Sequence, residues 1–429
     1  MIRTKKSTWL LAFALFSLFF GAGNLILPPL LGLEAGASWT AVALGFCLSA
    51  VFIPVLGIVA HSRLQGSLYD LAKPVSGSYS LLYCLVIYSI SISLPSPRTA
   101  SVSYEMGIAP LFEMPSWVFA TIYFGLVFAC VWFRSKILDW LGKILTPALL
   151  LLLFTLIGAV IFNLDWPVDH TPQADTLSKG LLEGYQTFDA IGSVVVGGVI
   201  IISVNLKFPQ YDLAEKQKLI ARAGFLAGLG LLTVYIGLIL AGAKSTPFFP
   251  QEISRADLLI GITRQNLGAT AQWILSLMVS LACFTTAVGI ITGTSDFIKE
   301  QLGNSQRAYR ITAFVACVIG VLVGQWRVDF IIAVAVPALM LVYPVTIVLI
   351  LLNVLPKSWT SRTIFRIVVG TTMLFSLPDF LGSVGYPLSE SMTSKIPLQA
   401  YSLGWFIPAA VAFGLSSILT RKKGVSEEG

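Results

Sequence analysis

Three stretches of this chain set polar side chains or helix-breaking glycines inside runs that are otherwise apolar. In "FFGAGNLILPP", residues 19–29, Gly21, Gly23 and Asn24 fall near the middle of the first apolar run, and Pro28 and Pro29 follow. Lipid tolerates unpaired backbone only where protein or a water-filled cavity covers it, so a break there marks a site. Unwinding would free N–H groups at the start of the following half-helix, which suit a carboxylate. It would also free carbonyls at the end of the preceding half, which suit a cation. The alternative is that Gly21 and Gly23 only let helices approach closely.

The second stretch, "TFDAIGSVVVGG", residues 187–198, places Asp189 in an apolar segment with Gly192, Ser193, Gly197 and Gly198 after it. A carboxylate at mid-membrane costs about 2.5–3.5 kcal/mol on insertion scales, so it faces a cavity or a partner. Alternatively it caps its helix near the outer surface. The third, "LACFTTAVGIITGTSD", residues 281–296, carries the adjacent hydroxyls of Thr285 and Thr286. These either bond back to their own helix at i−4 or, beside a cation at the first break, supply neutral oxygen ligands of the kind hard cations prefer.

Further polar residues lie in "PSPRTASVSYE", residues 95–105. Arg98 and Glu105 share a face if the helix is continuous, although Pro95 and Pro97 interrupt it. Arg98 would pair with Glu105 or Asp189 and close the outer side of a pathway, or the pair is structural or an interfacial anchor. Ser101 and Tyr104 are candidate pocket residues. His61 and His170 stand at span ends or in loops without the neighbours of a triad or metal site. No phosphate-binding loop, H-E-x-x-H or G-x-S-x-G motif occurs. No enzyme and no cofactor is expected.

The elements that position these residues follow from composition. The chain has 429 residues, 56% hydrophobic and 11% charged, with a mean hydropathy of +0.84. A soluble core cannot hide that much apolar surface, so the class is an all-α polytopic membrane protein. Apolar windows fall near 8–32, 38–60, 79–108, 116–133, 144–164, 181–204, 219–243, 268–297, 311–326, 328–353, 364–383 and 400–420, which predicts about twelve spans. The first window is too long for the apolar region of a signal peptide and reads as a retained helix. With alternating spans and both termini cytoplasmic, 21 of the 28 Lys and Arg fall in cytoplasmic segments. That asymmetry accounts for the net charge of +7 without any nucleic acid. The outer connections near 165–180 and 244–267 carry Asp165, Asp169, Asp175, Glu252 and Asp257. The five cysteines all sit in apolar runs and pack as small hydrophobes. No second domain and no obligate protein partner is evident.

Breaks in the first and sixth spans lie five spans apart. An odd number of spans per unit inverts the second unit, so the pattern predicts a five-plus-five inverted repeat: repeat one near 7–164, repeat two near 181–353, and accessory helices near 364–420, all within one transmembrane domain, 1–429.

"SLFFGAGNLILPPLLGLEAG" (17–36), "PSPRTASVSYEMGIAP" (95–110) and "EGYQTFDAIGSVVVGGVII" (183–201) resemble the hallmark segments of bacterial branched-chain amino acid:cation symporters, the BrnQ-type or LIVCS carriers, and the resemblance runs over the whole chain. It implies a LeuT-like fold with the substrate at the breaks of spans one and six, in the bacterial inner membrane. "GAGN" (21–24) is similar to the first-span motif of that wider group, and "ACFTT" (282–286) to its sodium-holding eighth-span element. The resemblance implies that the amides of Ala22, Gly23 and Asn24 meet a substrate carboxylate. Carbonyls around the sixth-span break, from Phe188 through Asp189, Ala190 and Ile191 to Gly192, would accept from its ammonium group. Carbonyls of Ser17, Phe20 and Ala282 with the hydroxyls of Thr285 and Thr286 would hold sodium as the coupling ion. Asp189 departs from the neutral residues of the neurotransmitter-type relatives, so its role stays open. The expectation is sodium-coupled import of Leu, Ile and Val. The alternatives are proton coupling or exchange through Asp189, or a channel, against which the scarcity of intramembrane charge argues.

Overall fold

The computed structural model describes residues 2–133, 137–163 and 175–426. Arg134, Lys136, Asp165, Asp169 and His170 lie outside the described residues. Every regular element among the described residues is helical. In chain order these are α1 Ile2–Phe19, α2 Ala22–Ala35, α3 Trp39–Cys47, α4 Ile53–Leu64, α5 Leu68–Ala72, α6 Gly77–Ser93, α7 Pro95–Val102, α8 Ser116–Trp132, α9 Ile137–Trp140, α10 Thr146–Asn163, α11 Thr176–Tyr185, α12 Asp189–Lys207, α13 Leu213–Lys244, α14 Arg255–Leu267, α15 Ala271–Gln301, α16 Gln306–Val323, α17 Val328–Val354, α18 Arg362–Ser383, α19 Glu390–Thr393 and α20 Phe406–Ser426.

Among the described residues, nine helical stretches are long and apolar enough to cross a bilayer, and three shorter apolar helices (Lys6–Phe19, Ser116–Trp132 and Phe406–Leu419) accompany them. One of the nine, Ala22–Leu64, turns at a 3₁₀ segment, Gly36–Ser38. Large apolar side chains such as Leu44, Leu126, Leu151, Phe162 and Phe225 face outward, which suits contact with lipid. Helix starts carry side-chain caps: Ser76 accepts from the Tyr79 N–H at 3.1 Å, and Asp212 and Glu215 exchange bonds at 2.7 and 3.0 Å, satisfying N–H groups that have no partner in the first turn. The five cysteines are buried and free, as expected of small hydrophobes.

Two helices are broken, and they pack reciprocally. The first pair, α1 and α2, lies against α13; the second pair, α11 and α12, lies against α3 and α4. Each broken helix is thus held by the helix that follows the other, the relation a five-plus-five inverted repeat requires. The prolines that accompany the first break do not cause it. Pro28 and Pro29 sit inside α2, beyond a break made at Phe20 and Gly21.

Small residues set the closest approach. A Cβ on Gly32 of α2 would lie 1.8 Å from the Ile239 carbonyl of α13, and one on Gly242 would lie 1.8 Å from the Pro29 carbonyl. Each glycine faces the backbone of the opposite helix, the packing that gives membrane helices their attraction where the hydrophobic effect supplies none. Gly32→Val and Gly242→Val should each lower the melting temperature of the purified protein in detergent, since overpacking costs about 1–3 kcal/mol or more. Gly370→Ala, where an added Cβ meets nothing within 4 Å, should leave it unchanged.

Candidate functional site

At the first break, α1 makes its last bond when the Phe20 N–H donates to the Phe16 carbonyl at 2.8 Å. Gly21 is extended (φ −122, ψ −159) and α2 starts at Ala22. The first three N–H groups of α2, on Ala22, Gly23 and Asn24, meet no acceptor among the described residues, and neither does any N–H bond the Phe20 carbonyl. Gly21 is required for space as well as for the break. A Cβ there would lie 2.6 Å from Thr286 Oγ1.

At the second break, α11 ends at Tyr185 and α12 starts at Asp189. Phe188 between them takes the left-handed conformation (φ 65, ψ 13), which costs a residue with a Cβ roughly 1–2 kcal/mol and clusters at ligand sites. The Phe188 N–H donates to the Tyr185 carbonyl at 3.0 Å. The Arg98 guanidinium lies over the Phe188 ring, 5.1 Å from its centroid.

This placement corrects the expected ammonium acceptors. The carbonyls of Phe188, Asp189, Ala190, Ile191 and Gly192 stand at the start of a helix, where N–H groups rather than C=O groups are left over. The Phe188 carbonyl accepts from the Gly192 N–H at 2.6 Å, and the Ala190 carbonyl from the Ser193 hydroxyl at 2.7 Å. The carbonyl-rich end at this break belongs to the residues before Phe188.

Asp189 does not cap its own helix. It is buried, 3% exposed, and its carboxylate crosses to the other broken helix. Asn24 Nδ2 donates to Asp189 Oδ2 at 2.6 Å, and the Tyr235 hydroxyl of α13 donates to the same oxygen at 2.9 Å. Asn24 Nδ2 also donates to the Tyr235 hydroxyl, while Asn24 Oδ1 accepts from the Gly21 N–H at 3.1 Å. One carboxamide therefore stitches the first break and binds it to the second.

Where α15 packs on α1, three of the expected cation ligands converge. The Thr285 hydroxyl oxygen lies 2.8 Å from the Ser17 carbonyl of α1, 3.0 Å from the Ala282 carbonyl and 3.1 Å from the Leu281 carbonyl. It carries one proton for three acceptors. The back-bond to Leu281 at i−4 exists, yet the shortest contact is to α1. Thr286 Oγ1 and Ser17 Oγ are buried without a hydrogen-bond partner. The Thr285 hydroxyl between the Ser17 and Ala282 carbonyls, with the unpartnered hydroxyls of Ser17 and Thr286 on the same two helices, supplies neutral oxygens of the kind a hard cation takes.

The remaining predicted residues divide. Arg98 is 3% exposed and donates from Nη1 to the Gln186 carbonyl at 2.8 Å. It forms no ion pair with Glu105 or Asp189 among the described residues. Glu105 instead accepts from the Val328 N–H at 3.1 Å. Ser101 donates to the Gly324 carbonyl at 3.0 Å and Tyr104 to the Met114 carbonyl at 2.7 Å; both serve helix packing, away from the cavity.

That cavity, about 30 Å³, is lined by Gly21, Ala22, Asn24, Arg98, Phe188, Asp189, Gly192 and Thr286, with Leu18, Ile191, Val195 and Ile290 as apolar walls. It has room for a water or two, so this is a closed state. The sequence alone did not single out Tyr235, Thr187 or Tyr343. Tyr343 accepts from the Ala190 N–H at 3.2 Å, and the Thr187 hydroxyl from the Asp189 N–H at 3.2 Å. A lone tyrosine in an apolar span was the available signal, because a buried phenol needs a partner.

The chain matches a family model described as branched-chain amino acid transport protein over residues 4–423. It is 33% identical to the branched-chain amino acid transport system 2 carrier protein of Pseudomonas aeruginosa, over 97% of each chain. It is 32% identical to the permease BraB of Bacillus subtilis, over 99% of this chain and 97% of that one. Similar folds include a Na⁺-coupled sialic acid symporter in a substrate-bound outward-open state, with a TM-score of 0.62 at 14% identity, covering 96% of this chain and 90% of that one. MhsT in complex with L-phenylalanine matches with a TM-score of 0.58 at 15% identity, covering 96% and 97%. The fold is therefore LeuT-like.

Asn24→Ala should destabilise the purified protein more than Tyr235→Phe in thermal unfolding. The first leaves the Gly21 N–H without its acceptor and takes one donor from Asp189; the second takes a donor from Asp189 and one acceptor from an Asn24 amide that still donates to Asp189. Each orphaned buried group costs about 1–3 kcal/mol. Equal melting temperatures for the two variants would remove Asn24 from its central place.

Proposed function

This chain belongs to the branched-chain amino acid transport protein family, and we propose that it imports leucine, isoleucine and valine together with sodium by alternating access. It is a multi-pass transporter of branched-chain amino acids and not an enzyme. We propose as well that about twelve spans leave both termini cytoplasmic, that the membrane is the bacterial inner membrane, and that the two halves lie near 7–164 and 181–353.

The observation that carries sodium coupling is the Thr285 hydroxyl set between the Ser17 carbonyl of α1 and the Ala282 carbonyl, with the buried Thr286 and Ser17 hydroxyls left without partners. Carbonyls of Ser17, Phe20 and Ala282 with the two threonine hydroxyls would hold the ion. The ion would order the break and fix the start of α2. The substrate carboxylate would then meet the N–H groups of Ala22, Gly23 and Asn24, at the positive end of that half-helix. The aliphatic side chain would enter the apolar part of the cavity, between Ile191, Val195 and Ile290. Such a wall separates substrates by only about 1–3 kcal/mol per methylene, so the three branched-chain amino acids compete.

Loading requires the closed cavity to open. On the proposed outer side the closed state is fastened by Lys179–Glu34 at 2.7 Å, Arg255–Glu183 at 3.6 Å and Arg255–Asp329 at 3.9 Å. On the cytoplasmic side Asp139 pairs with Lys143 at 3.0 Å and with Lys207.

A second reading has its own observation. Asp189 is a buried carboxylate between Asn24 and Tyr235, placed where a proton carrier would work. Uptake of labelled leucine into proteoliposomes, with sodium and proton gradients imposed separately, separates the two. The sodium gradient should drive accumulation, and Thr286→Ala should raise the half-saturating sodium concentration on the order of tenfold, the loss of about 1.4 kcal/mol. Accumulation driven by a proton gradient alone, and abolished in Asp189→Asn, would favour the second reading and sink the first.

A further inference from the structure

The helix start that would receive the carboxylate has a cation packed on it. A Cβ on Gly23 would lie 2.6 Å from Arg98 Nη2, so the guanidinium fills the space that glycine leaves in the first turn of α2. Arg98 is 3% exposed. One of its donors reaches the Gln186 carbonyl at 2.8 Å. Nε is buried without a partner, and no acidic side chain pairs with the group among the described residues. The N–H groups of Ala22, Gly23 and Asn24 beside it are also free of acceptors.

Positive charge is therefore stacked on positive charge. The half-helix start carries about half an elementary charge, and a buried, unpaired guanidinium is strongly unfavourable unless an anion completes it. Both line the same cavity, and the only carboxylate lining it among the described residues, Asp189, already accepts from Asn24 and Tyr235. An arginine fork matches a planar carboxylate with two parallel bonds.

We propose that Arg98 binds the carboxylate of the transported amino acid, together with the amides of residues 22–24, and that Asp189 receives its ammonium group. This rests on the reading of the cavity as the amino-acid site. The zwitterion then bridges two buried opposite charges that line one cavity and form no ion pair with each other. Arg98 is a substrate ligand in this arrangement rather than one half of an outer gate. Its stacking over Phe188 ties carboxylate binding to the strained residue at the second break.

The test compares leucine with leucinamide, which keeps the ammonium group and the side chain but replaces the carboxylate with a neutral amide. Binding to the purified full-length protein is measured by calorimetry at saturating sodium. The wild type should prefer leucine, and Arg98→Gln should weaken leucine roughly 10- to 100-fold, the loss of one charged hydrogen-bonding partner. Leucinamide binding should change little, so that the preference collapses; Arg98→Lys should keep part of it. Equal weakening of both ligands, or a preference that survives Arg98→Gln, overturns the proposal. So does a wild type that binds leucinamide as tightly as leucine, which needs no variant to fold. If Arg98→Gln does not stay monodisperse, Arg98→Lys carries the same comparison. Repeating the wild-type titration with choline in place of sodium scores the coupling ion separately. Leucine binding that ignores sodium removes sodium coupling and leaves the Arg98 comparison standing. A wild type that binds no leucine removes the amino-acid site and the role of Arg98 with it.

Discussion

Asn24 is the residue on which the geometry of the site depends. A broken helix in hydrocarbon exposes backbone that lipid cannot satisfy, and two such breaks face each other here. The Asn24 carboxamide has an acceptor and two donors, and it uses them on three different elements: the Gly21 N–H at the first break, Asp189 at the second, and Tyr235 on α13. An aspartate could accept from Gly21 but would set a second carboxylate against Asp189. A leucine would orphan the Gly21 N–H and leave Asp189 with the Tyr235 hydroxyl alone of its two donors. The same carboxamide thus fixes where α2 begins and holds Asp189 in a defined orientation within the bundle.

Glycines allow these contacts without unusual backbone angles. Gly21 is extended rather than left-handed, and its role is to admit Thr286. Gly23 admits Arg98, and Gly32 and Gly242 let α2 and α13 meet backbone to backbone. Close packing and helix breaking, two explanations that compete when the sequence is read alone, act together at Gly21. The left-handed position falls on Phe188 instead, where the ring is held under Arg98.

The parts of this arrangement that the sequence made legible are those with a compositional contrast. An aspartate, a Gly-x-Gly-Asn and a Thr-Thr pair stand out in apolar runs, and the structure gathers Gly21, Asn24, Asp189 and Thr286 around one cavity. The all-helical bundle and its five-plus-five pattern were legible in the same way, from apolar windows and the two breaks; the LeuT-like fold was legible only through the resemblance of the hallmark segments. What was not legible depends on register and direction. Ser101 and Tyr104 are as polar as true pocket residues, but three or six positions beyond Arg98 they point into helix packing. The expected ammonium acceptors, the carbonyls from Phe188 to Gly192, stand at a helix start, because periodicity locates a break only to within a turn, and one turn exchanges carbonyls for amides. Arg98 and Glu105 satisfied the spacing for a shared helix face, but the helix is π-wound from Ser103 to Ile108, which shifts the phase between them. Tyr235 lies on a different helix from every motif, and no local pattern linked it to Asp189.

The two proposed sites are opposite sides of one break, and this gives coupling a physical basis. The cation would be held by the last carbonyls of α1, and the carboxylate by the first amides of α2, with only Phe20 and Gly21 between them. Neither ligand can bind well unless those residues take the extended turn seen here, so each would lower the cost of ordering for the other. Such an effect is reciprocal by thermodynamic necessity. It also needs no contact between ion and substrate. The free N–H groups of residues 22–24, the unpartnered Thr286 hydroxyl and the unpartnered Arg98 Nε are unsatisfied in the same closed state. A chain that left only one of these groups unsatisfied could bind one ligand independently of the other. Leaving all of them around a single unwound turn makes full satisfaction depend on both ligands together, the condition for moving the two as a pair.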